Sequence, residues 1–148
     1  MIRVKLVAWS CVVALAAAGC GGGTTHEKEY FILEAARPRG PVQARTDATL
    51  EVRRLSIDSA FAARNLVYRL GEFEYEADNY RQFMIAPAVM ISERTRDWLA
   101  DSGLFARVTS AGGRLEAQYA LDGSVLALYG DFSDEAVPAA VVKIRYFL

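Results

Sequence analysis

A short apolar run at the N-terminus restricts which part of this chain can form a folded domain. Arg3 and Lys5 give a positive head, and residues 6–18 then carry no charge, with Ser10 as the only polar interruption. This run is shorter than the roughly 20 apolar residues that a transmembrane helix needs, and it ends in small residues. The order of basic head, apolar body and small-residue exit predicts a removable export signal over residues 1–19. The folded domain must therefore be specified by residues beyond this signal.

The exit from this run, Ala17-Ala18-Gly19-Cys20, resembles the lipobox of bacterial lipoproteins, in which the cysteine is diacylated and the chain is cut just before it. Alanine stands at the first lipobox position, where leucine is commoner. The alternative is an ordinary secretory signal cut after an Ala-x-Ala site, which leaves Cys20 as a stray thiol. An anchor of three acyl chains on Cys20 is more than the two membrane-binding signals that stable anchoring requires. We expect Cys20 to be the lipidation site.

Cysteine usage supports lipidation. The chain has two cysteines, and Cys11 lies within the predicted signal, so the mature chain has no partner with which Cys20 could form an internal disulfide. Residues 20–29 begin with a glycine- and threonine-rich stretch and are predicted to be a flexible tether. In the usual sorting logic an aspartate after the cysteine holds a lipoprotein at the inner membrane. Because Gly21 stands there, we expect an anchor in the outer membrane, facing the periplasm, in preference to the inner membrane.

The charge balance gives no indication of a nucleic-acid partner. Removal of the signal takes away Arg3 and Lys5 and no acid, so the formal net charge moves from −1 to −3. The arginines are scattered among acids, whereas nucleic-acid surfaces cluster basic residues. The length of residues 30–148 suits one small domain with a single core.

The first predicted strands are Tyr30–Leu33 and Ala48–Ile57. In the second, Leu50 and Val52 share one parity while Leu55 and Ile57 have the other, so the apolar phase slips at Arg53-Arg54. Such a slip is typical of a β-bulge, because one extra residue reverses the faces of a strand.

A β-hairpin is predicted over residues 66–77, turning at Gly71-Glu72 with glycine in the position that a type II′ turn prefers. In that register Tyr68 faces Tyr75 on the core side of the sheet. On the other side Arg69 lies opposite Glu74, as an opposite-charge cross-strand pair.

A helix follows, with Pro87 in its first turn and Gly103 at its C-terminal end. A mostly apolar stripe recurs at three- and four-residue steps, which indicates an amphipathic helix. We expect Ile91 and Trp98 of this stripe to pack on the same side of the sheet as Tyr68 and Tyr75. Its members are Ala88, Ile91, Thr95, Trp98 and Leu99.

The C-terminal third is predicted to be β-structure. After a short strand over residues 104–109 and a turn at Gly112-Gly113, apolar residues of one parity run from Leu115 to Tyr129. This pattern fits one long strand, or a hairpin that turns at Asp122-Gly123. Alternation over residues 142–148 predicts a last strand. The fold class is therefore α+β, a mostly antiparallel β-sheet with at least one amphipathic helix packed on one face.

No catalytic constellation is evident, and we expect neither an enzyme nor a metal site, nor any cofactor beyond the covalent lipid on Cys20. The only histidine, His26, lies in the tether without fixed neighbours. The acidic run of Glu72, Glu74, Glu76 and Asp78 alternates along a strand and is predicted to be a solvated face rather than a cation site. Five aromatic residues are predicted to belong to the core, with a partner- or ligand-binding surface as the alternative. They are Tyr68, Tyr75, Tyr80, Phe83 and Trp98.

An ordered set of residues resembles the ABC-type transport auxiliary lipoprotein family, which includes the lipoprotein of the paraquat-inducible operon. The resemblance covers roughly residues 28–148 and includes the lipobox. It is carried by Leu66-Val67-Tyr68-Arg69, Tyr75-Glu76-Ala77-Asp78-Asn79-Tyr80, Phe83, Pro87, Trp98-Leu99 with Ser102-Gly103-Leu104-Phe105, Leu121-Asp122-Gly123, and Leu128-Tyr129-Gly130-Asp131-Phe132.

The resemblance implies a non-catalytic periplasmic lipoprotein that works with an ABC transporter permease and ATPase and with an MCE-domain protein. Such systems move phospholipids or other hydrophobic molecules between the inner and outer membranes. The resemblance also favours one continuous strand through Gly123. Family members continue past the position of Leu148, so it implies a C-terminally truncated domain over residues 30–148. The alternative function is that of a stand-alone structural or assembly lipoprotein of the outer membrane. A third function, which overlaps the first, is that of a lipoprotein that itself shields a lipid in an apolar groove.

Overall fold

The computed structural model describes residues 27–38, 45–113 and 115–148, and the predicted signal, Cys20 and His26 lie outside these ranges. The described residues contain one α-helix, α1 (Pro87–Asp101), and a short 3-10 helix at Ser59–Phe61. No helix within these ranges is long and apolar enough to cross a bilayer. The strands are β1 (Glu29–Phe31), β2 (Thr46–Val52), β3 (Ser56–Ile57), β4 (Asn65–Arg69), β5 (Tyr75–Phe83), β6 (Phe105–Ser110), β7 (Tyr119–Asp131) and β8 (Ala139–Phe147).

The strands form one sheet around β7, in the order β1-β5-β4-β7-β2-β6, with β3 and β8 also paired to β7. The α+β class is confirmed. The sheet is mixed, however, rather than mostly antiparallel. β4–β5 and β7–β8 are antiparallel, whereas β2, β3 and β4 all run parallel to β7, as do β1 to β5 and β2 to β6. Alternation within a strand does not specify which distant strand it meets, and parallel pairs join segments far apart in the chain.

The predicted slip at Arg53-Arg54 is confirmed as one extra residue relative to β7. Val52 pairs with Leu121 but Ser56 pairs with Ser124, so the β2–β3 stretch takes one step more than its partner. The slip turns Leu55 into the core, where it is buried. Its backbone N–H donates to the Ser92 hydroxyl of α1 at 2.9 Å, which satisfies a donor that the interrupted ladder leaves free.

The β4–β5 hairpin forms, but the predicted register is wrong by one residue. Tyr68 pairs with Glu76 and Arg69 with Tyr75, because the loop includes Phe73 and closes with a Leu70 N to Glu74 O hydrogen bond of 2.9 Å. A one-residue shift reverses every side chain, so Tyr68 and Tyr75 lie on opposite faces of the sheet.

The helix is confirmed with its predicted end signals. Pro87 occupies the first turn, and Gly103 has a φ of 67°, the left-handed conformation common after a helix C-terminus. The predicted core role of Trp98 is wrong, since its side chain is 40% exposed. Only the N-terminal half of α1 is buried, and it joins a core that consists of Leu55, Phe83, Met90, Ile91, Val125 and Leu128.

β7 passes through Gly123 without turning, so the hairpin alternative is wrong and the single strand is confirmed. Glycine is needed there because a Cβ atom would lie 2.7 Å from Leu55 Cδ2 and 2.8 Å from the Arg145 carbonyl oxygen. The missing side chain lets the Leu55 side chain and β8 approach β7 closely.

Candidate functional site

The most prominent concave feature is an apolar groove between α1 and β8. The helix packs on β6 and β2 and leaves much of the inner face of β8 uncovered. The resulting space has a volume of about 610 Å³ and lies open to solvent on one side. Its apolar walls are formed by Leu33, Ala35, Ile91, Trp98, Leu99, Leu121, Val142, Ile144 and Tyr146, and Glu34, Arg94 and Thr95 complete the lining.

Two periodicities build the groove. The two-residue period of β8 places Val142, Ile144 and Tyr146 on one face, as alternation predicts. The helical period of α1 aims Trp98 and its stripe neighbours at that face. The two faces meet only in part, because Ile144 packs against the core whereas Val142 stays 54% exposed. A Thr95 Oγ1 to Tyr146 Oη hydrogen bond of 3.0 Å bridges them.

A strap, residues 32–38, forms the third wall and has no regular secondary structure. Glu34 Oε2 lies 3.5 Å from Arg94 Nη1, and the Arg37 guanidinium stands 5.2 Å from the centre of the Trp98 ring. Arg37 Nη1 also donates to the Asp101 carbonyl oxygen at 3.5 Å. An exposed ion pair contributes about 0–1 kcal/mol, and an exposed cation–π contact about 0.5–1 kcal/mol. These polar contacts therefore hold the strap only weakly against α1.

The polar groups of the lining are paired with one another or with a neighbour on α1. Arg94 contacts Glu34 and also Asp97 Oδ2 at 3.8 Å, while Thr95 bonds to Tyr146. The interior therefore offers hydrocarbon, with charge confined to the side where the strap crosses α1. A concave, mostly apolar surface with few polar groups is the usual form of a small-molecule site.

The five predicted aromatic residues are not brought together. Trp98 lines the groove, whereas Tyr68 and Phe83 line a smaller neighbouring pocket of about 390 Å³. Tyr75 packs edge-on against Tyr129 at 5.5 Å between ring centroids, and Tyr80 lies near Asp78 and Arg81. Tyr75 and Tyr80 are 49% and 47% exposed, so their predicted core role is wrong too. Sequence patterns indicate the apolar faces but not the gap between them, which is why the position of the groove and the presence of the strap are not predicted.

Two carboxylates near the hairpin have lowered pKa values for structural reasons. The pKa of Asp78 is lowered by hydrogen bonds from the backbone N–H groups of Arg81 and Tyr80. The pKa of Asp131 is lowered by the Ser133 hydroxyl and N–H and by the charge of Arg69, whose guanidinium lies 3.1 Å from Asp131 Oδ2. Arg69 therefore binds Asp131 on β7 rather than Glu74. These groups stay ionised at neutral pH. The Arg69–Asp131 pair joins β4 to β7, whereas the backbone hydrogen bonds to Asp78 lie within β5.

Comparison with known proteins identifies the fold. No protein-family model and no curated protein matches this sequence. A protein from Xanthomonas campestris, described as a DUF330 protein, has the same fold, with a TM-score of 0.69 and 16% identity over 80% of this chain. The match spans 66% of that protein, just under two thirds of its length. An uncharacterized protein matches with a TM-score of 0.57 and 11% identity, over 82% of this chain and 80% of its own length. At these identities the likeness establishes the fold alone.

Proposed function

We propose that this chain is a lipid-anchored periplasmic accessory component of an ABC transporter and MCE-domain system. In this role it helps to move phospholipid or other hydrophobic cargo between the inner and outer membranes. It is anchored through Cys20 in the outer membrane and acts by binding rather than by catalysis. Its partners are the MCE-domain protein and the transporter permease and ATPase.

The observation that carries the proposal is the ordered set of residues, from Leu66 to Phe132, that resembles the auxiliary lipoprotein family. These residues lie in a single sheet-and-helix unit whose fold is shared with a DUF330 protein. The Ala-Ala-Gly-Cys exit from the apolar N-terminal run supports the anchor. The apolar groove supports hydrophobic cargo, because its lining offers hydrocarbon and no unpaired polar group among the described lining residues.

Crosslinking in intact envelopes tests the proposal. The full chain with a C-terminal tag is expressed in its native host, crosslinked and captured, and the captured proteins are quantified by mass spectrometry. We expect the MCE-domain protein to be enriched with the wild-type chain and strongly reduced with Cys20→Ala, which cannot be acylated. The matched control is His26→Ala, which changes the tether but not the anchor and should leave capture unchanged.

Enrichment of an outer-membrane assembly without any MCE-domain protein or transporter subunit would contradict the proposal. It would favour the stand-alone structural lipoprotein instead.

A further inference from the structure

We infer that the groove between α1 and β8 binds a hydrocarbon chain of an acidic phospholipid, and that Glu34 of the strap holds the place of its head group in the unliganded protein. The inference deepens the proposed function, because it names the class of lipid that the lipoprotein itself holds. Its test uses purified protein without a transporter, so a failure of lipid binding leaves partner capture as a separate question.

The lining indicates that the bound part of the ligand is hydrocarbon. The groove volume of about 610 Å³ falls within the range of about 300–1,000 Å³ that is usual for small-molecule sites. Leu99, Leu121 and Ile144 supply aliphatic surface, and the hydroxyls of Thr95 and Tyr146 already bond to each other. A polar ligand would find no free partner inside, whereas an acyl chain needs none.

Charge complementarity indicates that the head group is anionic. Two arginines, Arg94 and Arg37, flank the point where the strap crosses α1. Among the described residues Arg37 has no carboxylate partner, only the Trp98 ring and the Asp101 carbonyl oxygen. Guanidinium groups bind phosphate with charge-assisted, often bidentate hydrogen bonds. A phosphate in place of the Glu34 carboxylate would therefore pair with Arg94, on the side of α1 where Arg37, next to Trp98, adds a second positive charge.

Glu34 is placed as an intramolecular competitor for that phosphate. Its carboxylate is the strap's own anion at Arg94, at 3.5 Å, and its side chain is 75% exposed. Displacement of Glu34 by a phosphate would therefore leave no buried charge unpaired. Leu33 and Ala35 line the groove on either side of Glu34. Release of Glu34 from Arg94 therefore also loosens the strap, past which an acyl chain must enter the groove.

Trp98 provides the reporter for the test. The chain has two tryptophans, Trp9 and Trp98, and Trp9 lies in the predicted signal, so the mature protein that begins at Cys20 fluoresces from the groove wall alone. The mature, acylated protein is reconstituted into phosphatidylcholine vesicles. Two sets of vesicles are compared, each with the same mole fraction of a lipid whose acyl chains are brominated. The brominated lipid is phosphatidylglycerol in one set and phosphatidylcholine in the other, and bromine quenches tryptophan fluorescence on contact. We expect stronger quenching by the phosphatidylglycerol.

Substitutions in the mature protein separate the parts of the inference. Arg94→Gln should weaken apparent affinity for the acidic lipid by about tenfold, the loss expected from one charge-assisted hydrogen bond. Lys143→Gln, on the other face of β8, is the matched control for net charge and should have little effect. Glu34→Gln should raise the affinity, since it removes the competing anion, whereas a purely structural Glu34 would give no gain.

Val142→Gln places an amide in the apolar wall and should abolish quenching by either lipid while leaving the melting midpoint unchanged. Equal quenching by both lipids would overturn the head-group assignment. An absence of quenching, together with a Trp98 spectrum that shifts only when a protein partner is added, would assign the groove to a protein. If oleate competes with an affinity equal to that of phosphatidylglycerol, the site recognises a carboxylate as well as a phosphate. That result would overturn the phospholipid assignment.

Discussion

Gly123→Ala tests the packing around β7, the strand to which β2, β3, β4 and β8 are all paired. The new Cβ would lie 2.7 Å from Leu55 Cδ2 and 2.8 Å from the Arg145 carbonyl oxygen. The Leu55 side chain could shift only within a buried core, and the Arg145 oxygen belongs to the backbone of β8. Overpacking of this kind costs about 1–3 kcal/mol. With a midpoint shift near 4 °C per kcal/mol for a domain of this size, we expect the melting midpoint to fall by roughly 4–12 °C.

The assay is thermal unfolding followed by circular dichroism, with Gly71→Ala as the matched control. At Gly71 the nearest atom to a new Cβ is Glu74 Cβ at 3.5 Å, an ordinary contact, and the backbone is not in the left-handed region. A compatible glycine-to-alanine change stabilises a protein by about 0.4–1 kcal/mol through the unfolded chain. Equal midpoints for the two variants, or a larger fall for Gly71→Ala, would refute the close approach at Gly123.

The core, the hairpin carboxylates and the lipid anchor can each be tested separately. Ile91→Ala should cost about 2–5 kcal/mol, since Ile91 is buried in the core, whereas Trp98→Ala should move the denaturant midpoint much less because Trp98 is 40% exposed. Asp78 and Asp131 have lowered pKa values in the folded protein, so their stabilisation is present at neutral pH and is lost as pH falls through and below the ordinary value of 3.8. Melting midpoints between neutral pH and pH 3 should fall less steeply for Asp78→Asn than for the wild type, and an identical slope would contradict this origin. Mass spectrometry of the protein from envelopes should find an acylated N-terminus at Cys20, and an unmodified terminus at another residue would refute lipidation.

Local signals predicted the elements that depend on local chemistry. Pro87 and Gly103 mark the two ends of α1, because proline suits a first helical turn and glycine adopts the left-handed conformation after the last. The parity change between Val52 and Leu55 marks the extra residue between β2 and β3, because both side chains must be buried. Alternation in β8 predicts which of its residues line the groove.

The features that the sequence did not predict depend on distant parts of the chain. Gly71-Glu72 indicates a turn but does not fix the loop length, and the inclusion of Phe73 reverses the face of Tyr75. The parallel pairing of β2, β3 and β4 with β7 is a choice of partner that no short pattern encodes. The groove exists because α1 packs on β6 and stands away from β8, so an apolar stripe that predicts burial at Trp98 instead lines an open wall.

Phospholipid exchange between the two membranes of living cells is the decisive measurement for the proposed transport role. Cells that lack this protein are pulse-labelled, and labelled phospholipid is measured in separated inner and outer membranes after restoring the wild-type chain, Val142→Gln or Lys143→Gln. We expect slower exchange without the protein, recovery with the wild type and Lys143→Gln, and no recovery with a normally anchored Val142→Gln. Exchange that proceeds at the same rate with and without the protein would contradict the role.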